Sequence, residues 1–196
     1  MTHGARVAHE LILGGARSGK SRAAEQRAAH WLAGAPGREA TLVATALPGD
    51  DEMTERIARH RADRAMRVPA LATHEAPRAL GAAICGLGDA RRLLVVDCLT
   101  LWLTQCLLPP DGPALDAAGW QREQDELLAA LRECASPVVL VSNEIGLGVM
   151  PMSREARACV DALGWLHQSV AAQCARVTLM VAGCALALKN EGTDAS

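Results

Sequence analysis

Residues 11–28 read LILGGARSGKSRAAEQRA, and within them Gly14, Gly15, Ala16, Arg17, Ser18, Gly19, Lys20 and Ser21 satisfy the spacing G-x-x-x-x-G-K-[ST]. An apolar run precedes this turn and an Ala/Arg/Glu run with helix composition follows it, the context in which such a turn wraps a phosphate. Glycines let several backbone N–H groups converge on one anion, and the helix start adds partial positive charge. Lys20 would reach the β- and γ-phosphates, and Ser21 would ligate magnesium. Only Lys20 and Lys189 are lysines among 20 basic residues, so a lysine inside the turn stands out against an arginine background.

Three further segments carry candidate chemistry. Asp97 ends the run LLVVD, at the carboxyl end of a strand where ligands of open α/β sheets bind. It could hold the nucleotide's magnesium or cap the helix begun by CLTLWL, and the phosphate loop favours the metal. In TALPGDDEMTERIARHR, residues 45–61, Asp50 or Asp51 can cap a helix that puts Met53, Ile57 and His60 on one face. By pattern His60 reads as a partly buried, hydrogen-bonded histidine, with Arg56, Arg59 and Arg61 able to welcome an anion beside it. In VSNEIGLGVMPMSREAR, residues 141–157, Asn143, Glu144, Gly146 and Gly148 follow a buried strand and fall on the rim of the sheet. Arg154 and Arg157 could reach phosphates or form an ordinary solvated helix face.

The elements that must position these residues follow from spacing. Apolar runs ELIL, ATLVATA (40–46), RRLLVVD (91–97), PVVLVSN (137–143) and ARVTLMVAG (175–183) recur too far apart for hairpins, with helical composition between them. That pattern predicts an α/β, doubly wound, mostly parallel sheet. CALALK, 184–189, follows at once and predicts an antiparallel edge hairpin. An exposed loop is expected at 107–116, and no repeat or linker divides residues 1–196, which read as a single domain with a frayed tail from 190.

Composition narrows the partners. The net charge is −2 with no basic block, and Phe and Tyr are absent, so neither a nucleic-acid footprint nor a stacking platform is present. Seven cysteines lack any C-x-x-C pair and read as small buried residues of a reducing compartment. No apolar run reaches membrane-spanning length and MTHGARVAHE has no apolar leader core, so a cytoplasmic location without membrane insertion is expected.

Taken in order, GGARSGKS, ATA with DDEM..RI..HR, VVDCLTLWLT and VSNEIGLGVMP..R.AR resemble the bifunctional adenosylcobinamide kinase / adenosylcobinamide-phosphate guanylyltransferase family of cobalamin biosynthesis, over about residues 10–189. The resemblance implies a P-loop, RecA-like fold and two reactions. ATP or GTP phosphorylates adenosylcobinamide, and GMP then passes from GTP to the phosphate, giving adenosylcobinamide-GDP and pyrophosphate. It implies that His60 carries GMP as a phosphoramidate, which needs a neutral imidazole nitrogen that burial beside arginines would favour. It also implies nucleotide contacts at the loop (Gly14 to Ser21), Thr45, Arg56, Glu75 and Asp97, magnesium at Ser21 and Asp97, and a homotrimer. The sequence departs from the pattern at RAMRVPALATHE, where Leu71 stands for a tryptophan while Thr73 and Glu75 match. Met152, Ser153 and His167 replace polar residues of the pattern, His167 an asparagine. Two other readings remain: a small-molecule kinase without guanylyl transfer, and a non-catalytic GTP-binding regulator.

Overall fold

The computed structural model describes residues 7–47, 51–149 and 151–191; at Glu52, Met53 and Arg56 it describes the backbone alone. Its elements are β1 Glu10–Gly14, α1 Lys20–Ala33, β2 Glu39–Ala44, α2 Asp51–Arg67, β3 Leu71–Glu75, α3 Leu80–Leu87, β4 Arg92–Asp97, α4 Leu99–Leu107, α5 Ala117–Glu133, β5 Val138–Asn143, α6 Arg154–Gln173, β6 Arg176–Val181 and β7 Cys184–Asn190. All seven strands lie in one sheet of order β3-β2-β4-β5-β1-β6-β7, parallel except for the β6–β7 pair.

The central strands are buried on both faces, which is why they appear in the sequence as continuous apolar runs. On one face the small residues Ala23, Ala24 and Ala28 of α1 sit close against Ile12, Leu42, Val95 and Val141. On the other, helices α3 to α6 pack Leu80, Trp102, Leu127, Leu163 and Leu166 onto Leu11, Leu94 and Leu140. Trp102 is wholly buried, with its ring 5.0 Å from that of Trp120. Burying a side chain of this size contributes about 2–3 kcal/mol, and these layers carry most of the fold's stability.

The expected hairpin is present. Ala182 and Gly183 both take positive φ, 52° and 80°, the backbone of a two-residue turn matched to strand twist. Val181, Leu186 and Leu188 are exposed along it. The expected loop lies between α4 and α5, where Asp116 caps α5 by accepting from the Gly119 amide at 2.7 Å. Of the tail expected from 190, Asn190 closes β7 and the Glu191 amide donates to Ala175 O, while 192–196 lie outside the described residues.

Two expectations are corrected. β3 was not among the predicted strands, because in LATHE only Leu71 is buried and the edge position removes the apolar run. Cys85 and Cys184 are exposed; Cys98, Cys106, Cys134 and Cys174 are buried as expected, and all seven are free thiols.

Candidate active site

The first βα unit builds the phosphate loop. Gly14 takes φ +154°, and a Cβ there would lie 2.5 Å from Met180 O and 2.6 Å from Ser18 Oγ, so the close approach of β6 admits no side chain. Arg17 and Gly19 also take positive φ, at 54° and 100°, which turns successive amides toward one side. Gly19 caps α1 without a side chain, whereas Asp116 and Ser153 cap α5 and α6; the first-turn amides of α1 are left for an anion. The Gly183 amide donates to Ser18 O at 3.0 Å, so the β6–β7 turn braces the loop. Lys20 is buried, its Nζ donating to Gly15 O at 2.6 Å. Ser18 Oγ is buried without a hydrogen-bond partner among the described residues, a group that a phosphate oxygen would satisfy.

The strand ends set the neighbouring groups in a row. Ala44 is level with Asp97, Asp97 with Val141, and Gly14 with Asn143. Asp97 is half-buried, and Cys98 rather than Asp97 is the N-cap of α4, which removes the capping alternative. Thr45 is fully buried. Its hydroxyl donates to Cys98 O at 2.8 Å and accepts from the Cys98 amide at 2.9 Å, so Thr45 reaches the backbone beside Asp97 and not the open face.

Beside Asp97 lies a charged cluster that sequence reasoning missed. Glu25 of α1 is 5% exposed, and Arg67 of α2 places Nε 3.1 Å from its Oε2. Burial pushes the Glu25 carboxyl above its ordinary range, against the Arg67 and Arg64 charges, with Asp97 adding to the rise. Burial likewise pushes the Arg64 guanidinium down, against the pull of Asp97 and Glu25. Arg64 is one helical turn beyond His60, and helical spacing from His60 was the signal that could have found it.

His60 is exposed, as are Arg59 and Arg61. The partial burial expected for His60 is not found: burial on this face of α2 comes one turn later, at Arg64, and at Val68 just past the helix. Ile57 is half-buried; Asp50 and the side chains of Met53 and Arg56 lie outside the described residues. Arg61 pairs with Glu75 of β3, and both line, with Arg64, Val68, Leu71 and Thr73 among others, an open cleft of about 410 Å³ between α2 and β3. Arg157 donates to Pro151 O and Met152 O at 3.2 and 2.6 Å, so its guanidinium serves its own loop. No helix is long and apolar enough to cross a membrane, and no metal-binding cluster of three or more His, Cys, Asp or Glu occurs, among the described residues.

A strand, phosphate loop and helix beside a carboxylate at a neighbouring strand end, in a mostly parallel sheet, define a P-loop nucleotide-binding protein. The fold is similar to that of the flagellar accessory protein FlaH from Methanocaldococcus jannaschii, with a TM-score of 0.52 at 14% identity over 93% of this chain and 78% of that one. The chain belongs to the cobinamide kinase / cobinamide phosphate guanyltransferase family, whose profile matches residues 10–188. It is 48% identical over 182 residues to the bifunctional adenosylcobalamin biosynthesis protein CobP of Pseudomonas aeruginosa, covering 93% of this chain and 98% of that protein. It is 34% identical to the CobU proteins of Salmonella typhimurium and Escherichia coli, over 91% of this chain and 98% of each. The resemblance read from the ordered motifs is borne out.

Proposed function

We propose that the chain phosphorylates the hydroxyl of adenosylcobinamide with ATP or GTP, then transfers GMP from GTP to the product through a guanylyl-His60 intermediate, releasing pyrophosphate. Family membership supports the two reactions, and the observation that carries the site assignment is the phosphate loop with its open helix start and its Ser18 hydroxyl, partnerless among the described residues.

In the kinase step the loop amides and Lys20 hold the triphosphate while charge moves onto the leaving diphosphate. Positioning supplies most of the acceleration, since phosphoryl transfer asks little covalent chemistry of the protein. In the transfer step an imidazole nitrogen of His60 attacks the α-phosphorus of GTP and the bond to pyrophosphate breaks; the phosphate of the cobinamide substrate then takes the GMP and frees the histidine. An exposed His60 is open to a bound triphosphate, and Arg59 and Arg61 offer charge beside it.

Ser21 and Asp97 present hard oxygen donors that fit a magnesium ion carried with the nucleotide, and Ser21 directly follows the buried Lys20. Such an ion, when bound, neutralises charge on the phosphate oxygens. Thr45 supports this site through the Cys98 backbone, and Arg56 and Glu75 remain assigned to the nucleotide by resemblance. A homotrimer in the cytoplasm, with no nucleic-acid or membrane partner, completes the reading; the exposed Trp165, Leu186 and Leu188 offer apolar surface for assembly.

Intact-protein mass spectrometry after incubation with GTP and magnesium tests it, wild type beside His60→Ala. One GMP added to wild type, removed by mild acid and missing from the variant, is the expected result. GTP binding without added mass would leave a kinase lacking guanylyl transfer or, if cobinamide is not phosphorylated either, a non-catalytic regulator.

A further inference from the structure

We propose that Glu144 accepts the proton of the substrate hydroxyl in the kinase step, and that the buried His167 positions it. The inference rests on the two-reaction reading above and assigns the one segment that reading leaves without a role.

Glu144 is the first residue after β5, the strand between the Asp97 strand and the phosphate-loop strand. Its amide donates to Gly14 O at 3.0 Å, so its backbone is joined to the first residue of the loop. Among the carboxylates set around the loop, Asp97 is assigned to the metal and Glu25 is sealed against Arg67. Glu144 has neither assignment, and its side chain is 22% exposed, walled by protein on one side and open on the other.

The wall is a chain of polar groups that runs through three elements. His167 of α6 is 7% exposed; its Nδ1 lies 3.5 Å from Glu144 Oε2 and its Nε2 lies 2.8 Å from Ser142 Oγ. Ser142 Oγ lies 3.1 Å from Thr100 Oγ1 of α4, which accepts from the Asn143 amide at 3.0 Å. Burial holds the His167 imidazole below its ordinary range, with the charge and hydrogen bond of Glu144 acting in the opposite sense. A neutral imidazole carries one N–H, and a single direction of donation then satisfies every member. Thr100 donates to Ser142, Ser142 donates to Nε2, and the proton is left on Nδ1, the nitrogen 3.5 Å from the Glu144 carboxylate. Glu144 Oε1 also accepts from the Gly146 amide at 2.8 Å, which fixes the second oxygen. A carboxylate held from two sides at the lip of the loop is preorganised for one geometry.

The chemistry separates the two reactions. In phosphorylation the hydroxyl oxygen forms a bond to the γ-phosphorus, the bond from that phosphorus to the bridging oxygen breaks, and its electron pair leaves on the nucleoside diphosphate. The hydroxyl proton passes to the Glu144 carboxylate and then to water on its open side. In guanylyl transfer the nucleophiles are an imidazole nitrogen and a phosphate oxygen, neither of which must lose a proton as it attacks. Glu144 therefore serves the first reaction and is dispensable for the second.

The test measures both reactions on one preparation of the full chain: ATP-dependent phosphorylation of cobinamide, and GMP transfer from GTP to preformed cobinamide phosphate. The ratio of the two is independent of the folded fraction. Glu144→Gln is expected to lower kcat of phosphorylation on the order of 100-fold, with KM for ATP and the transfer rate each within about threefold of wild type. His167→Leu is expected to lower phosphorylation by about tenfold through a lost second contact, and His167→Asn, which can still donate to the carboxylate, to restore most of it. Phosphorylation within threefold of wild type in Glu144→Gln, or an equal fall in both reactions, overturns the proposal. Wild-type protein inactive in phosphorylation would instead overturn the two-reaction reading itself.

Discussion

The two ends of β1 hold opposite kinds of polarity. At its start Glu10 is 1% exposed and saturated: Arg27 donates to both of its oxygens at 2.9 and 3.1 Å, Thr178 at 2.9 Å and Arg176 at 3.4 Å. Next to it His9 is buried with Nε2 2.7 Å from Leu131 O, while its Nδ1 accepts from the Val138 amide. At the other end, in the loop that follows Gly14, Ser18 Oγ has no partner among the described residues and α1 begins without a side-chain cap. One end is completed by the chain itself; the other leaves a polar group for a ligand to complete.

The pKa directions repeat this contrast. Burial alone would raise the Glu10 carboxyl, but the Arg27 hydrogen bonds and charge, with Thr178 and Arg176, outweigh it and hold Glu10 below its ordinary range. Glu25, near the loop, is pushed up by burial that its arginines do not offset. Both are buried acids, one on β1 and one on α1, and they give stability opposite slopes with pH. The lesson is that burial of a carboxylate does not set its sign; the number of donors that reach it does.

The largest effect expected to sharpen the comparison is at Lys20. Lys20→Ala should cut both nucleotide-dependent reactions by on the order of 100- to 1,000-fold, while the denaturant midpoint stays within experimental scatter of wild type. Asp97→Asn should cost about 10- to 100-fold in the same assays, with part of the loss recovered at raised magnesium. At the opposite end Glu10→Gln should destabilise the fold by about 2–3 kcal/mol in urea melts and leave kcat unchanged, because it strips charge from a group that two arginines converge on.

The pH experiment refines that third variant. A lowered folded-state value means that the Glu10 contribution is fully present above the ordinary carboxylate value of about 4.3 and is lost as pH falls through the folded value. The stability gap between wild type and Glu10→Gln should therefore narrow in acid below about pH 4.3. For Glu25 the sign reverses: its folded state binds the proton more tightly, so its contribution declines as pH rises above the ordinary carboxylate value toward the raised one. A Glu25→Gln variant should lose that decline. The smallest expected change is Thr178→Val, about 1 kcal/mol from one of four donors, again with no change in kcat. An activity loss in Glu10→Gln comparable to that in Lys20→Ala would erase the distinction between the ends.

Where the sequence announces itself, a physical period or a fixed spacing does so. The phosphate loop was legible because four fixed positions, Gly14, Gly19, Lys20 and Ser21, sat between a strand and a helix, and the parallel strands because burial on both faces leaves continuous apolar runs. β3 was not, since an edge strand with only Leu71 buried has no such run. His60 was misplaced because counting it with Met53 and Ile57 treats histidine as an apolar residue, while the structure turns Arg64 inward one turn later. Glu25, Ser142 and Thr100 were silent because their partners lie on other elements, and no local pattern records a tertiary neighbour. Thr45 was found by motif resemblance, which marks that a residue matters without saying which atom it touches.

The outer strand β7 has an implication of a different kind. Apart from Lys189 every residue of it is exposed, and five of its seven residues, Cys184 to Leu188, form an uncharged run. Soluble proteins commonly guard such a margin with an outward lysine, whose charge repels an incoming backbone. Here the one lysine is folded back: its Nζ donates to Ala171 O at 3.1 Å and lies 3.0 Å from Glu191 Oε1. Among the described residues the strand turns no lysine outward, which leaves its backbone edge open to pairing with whatever comes to lie along it.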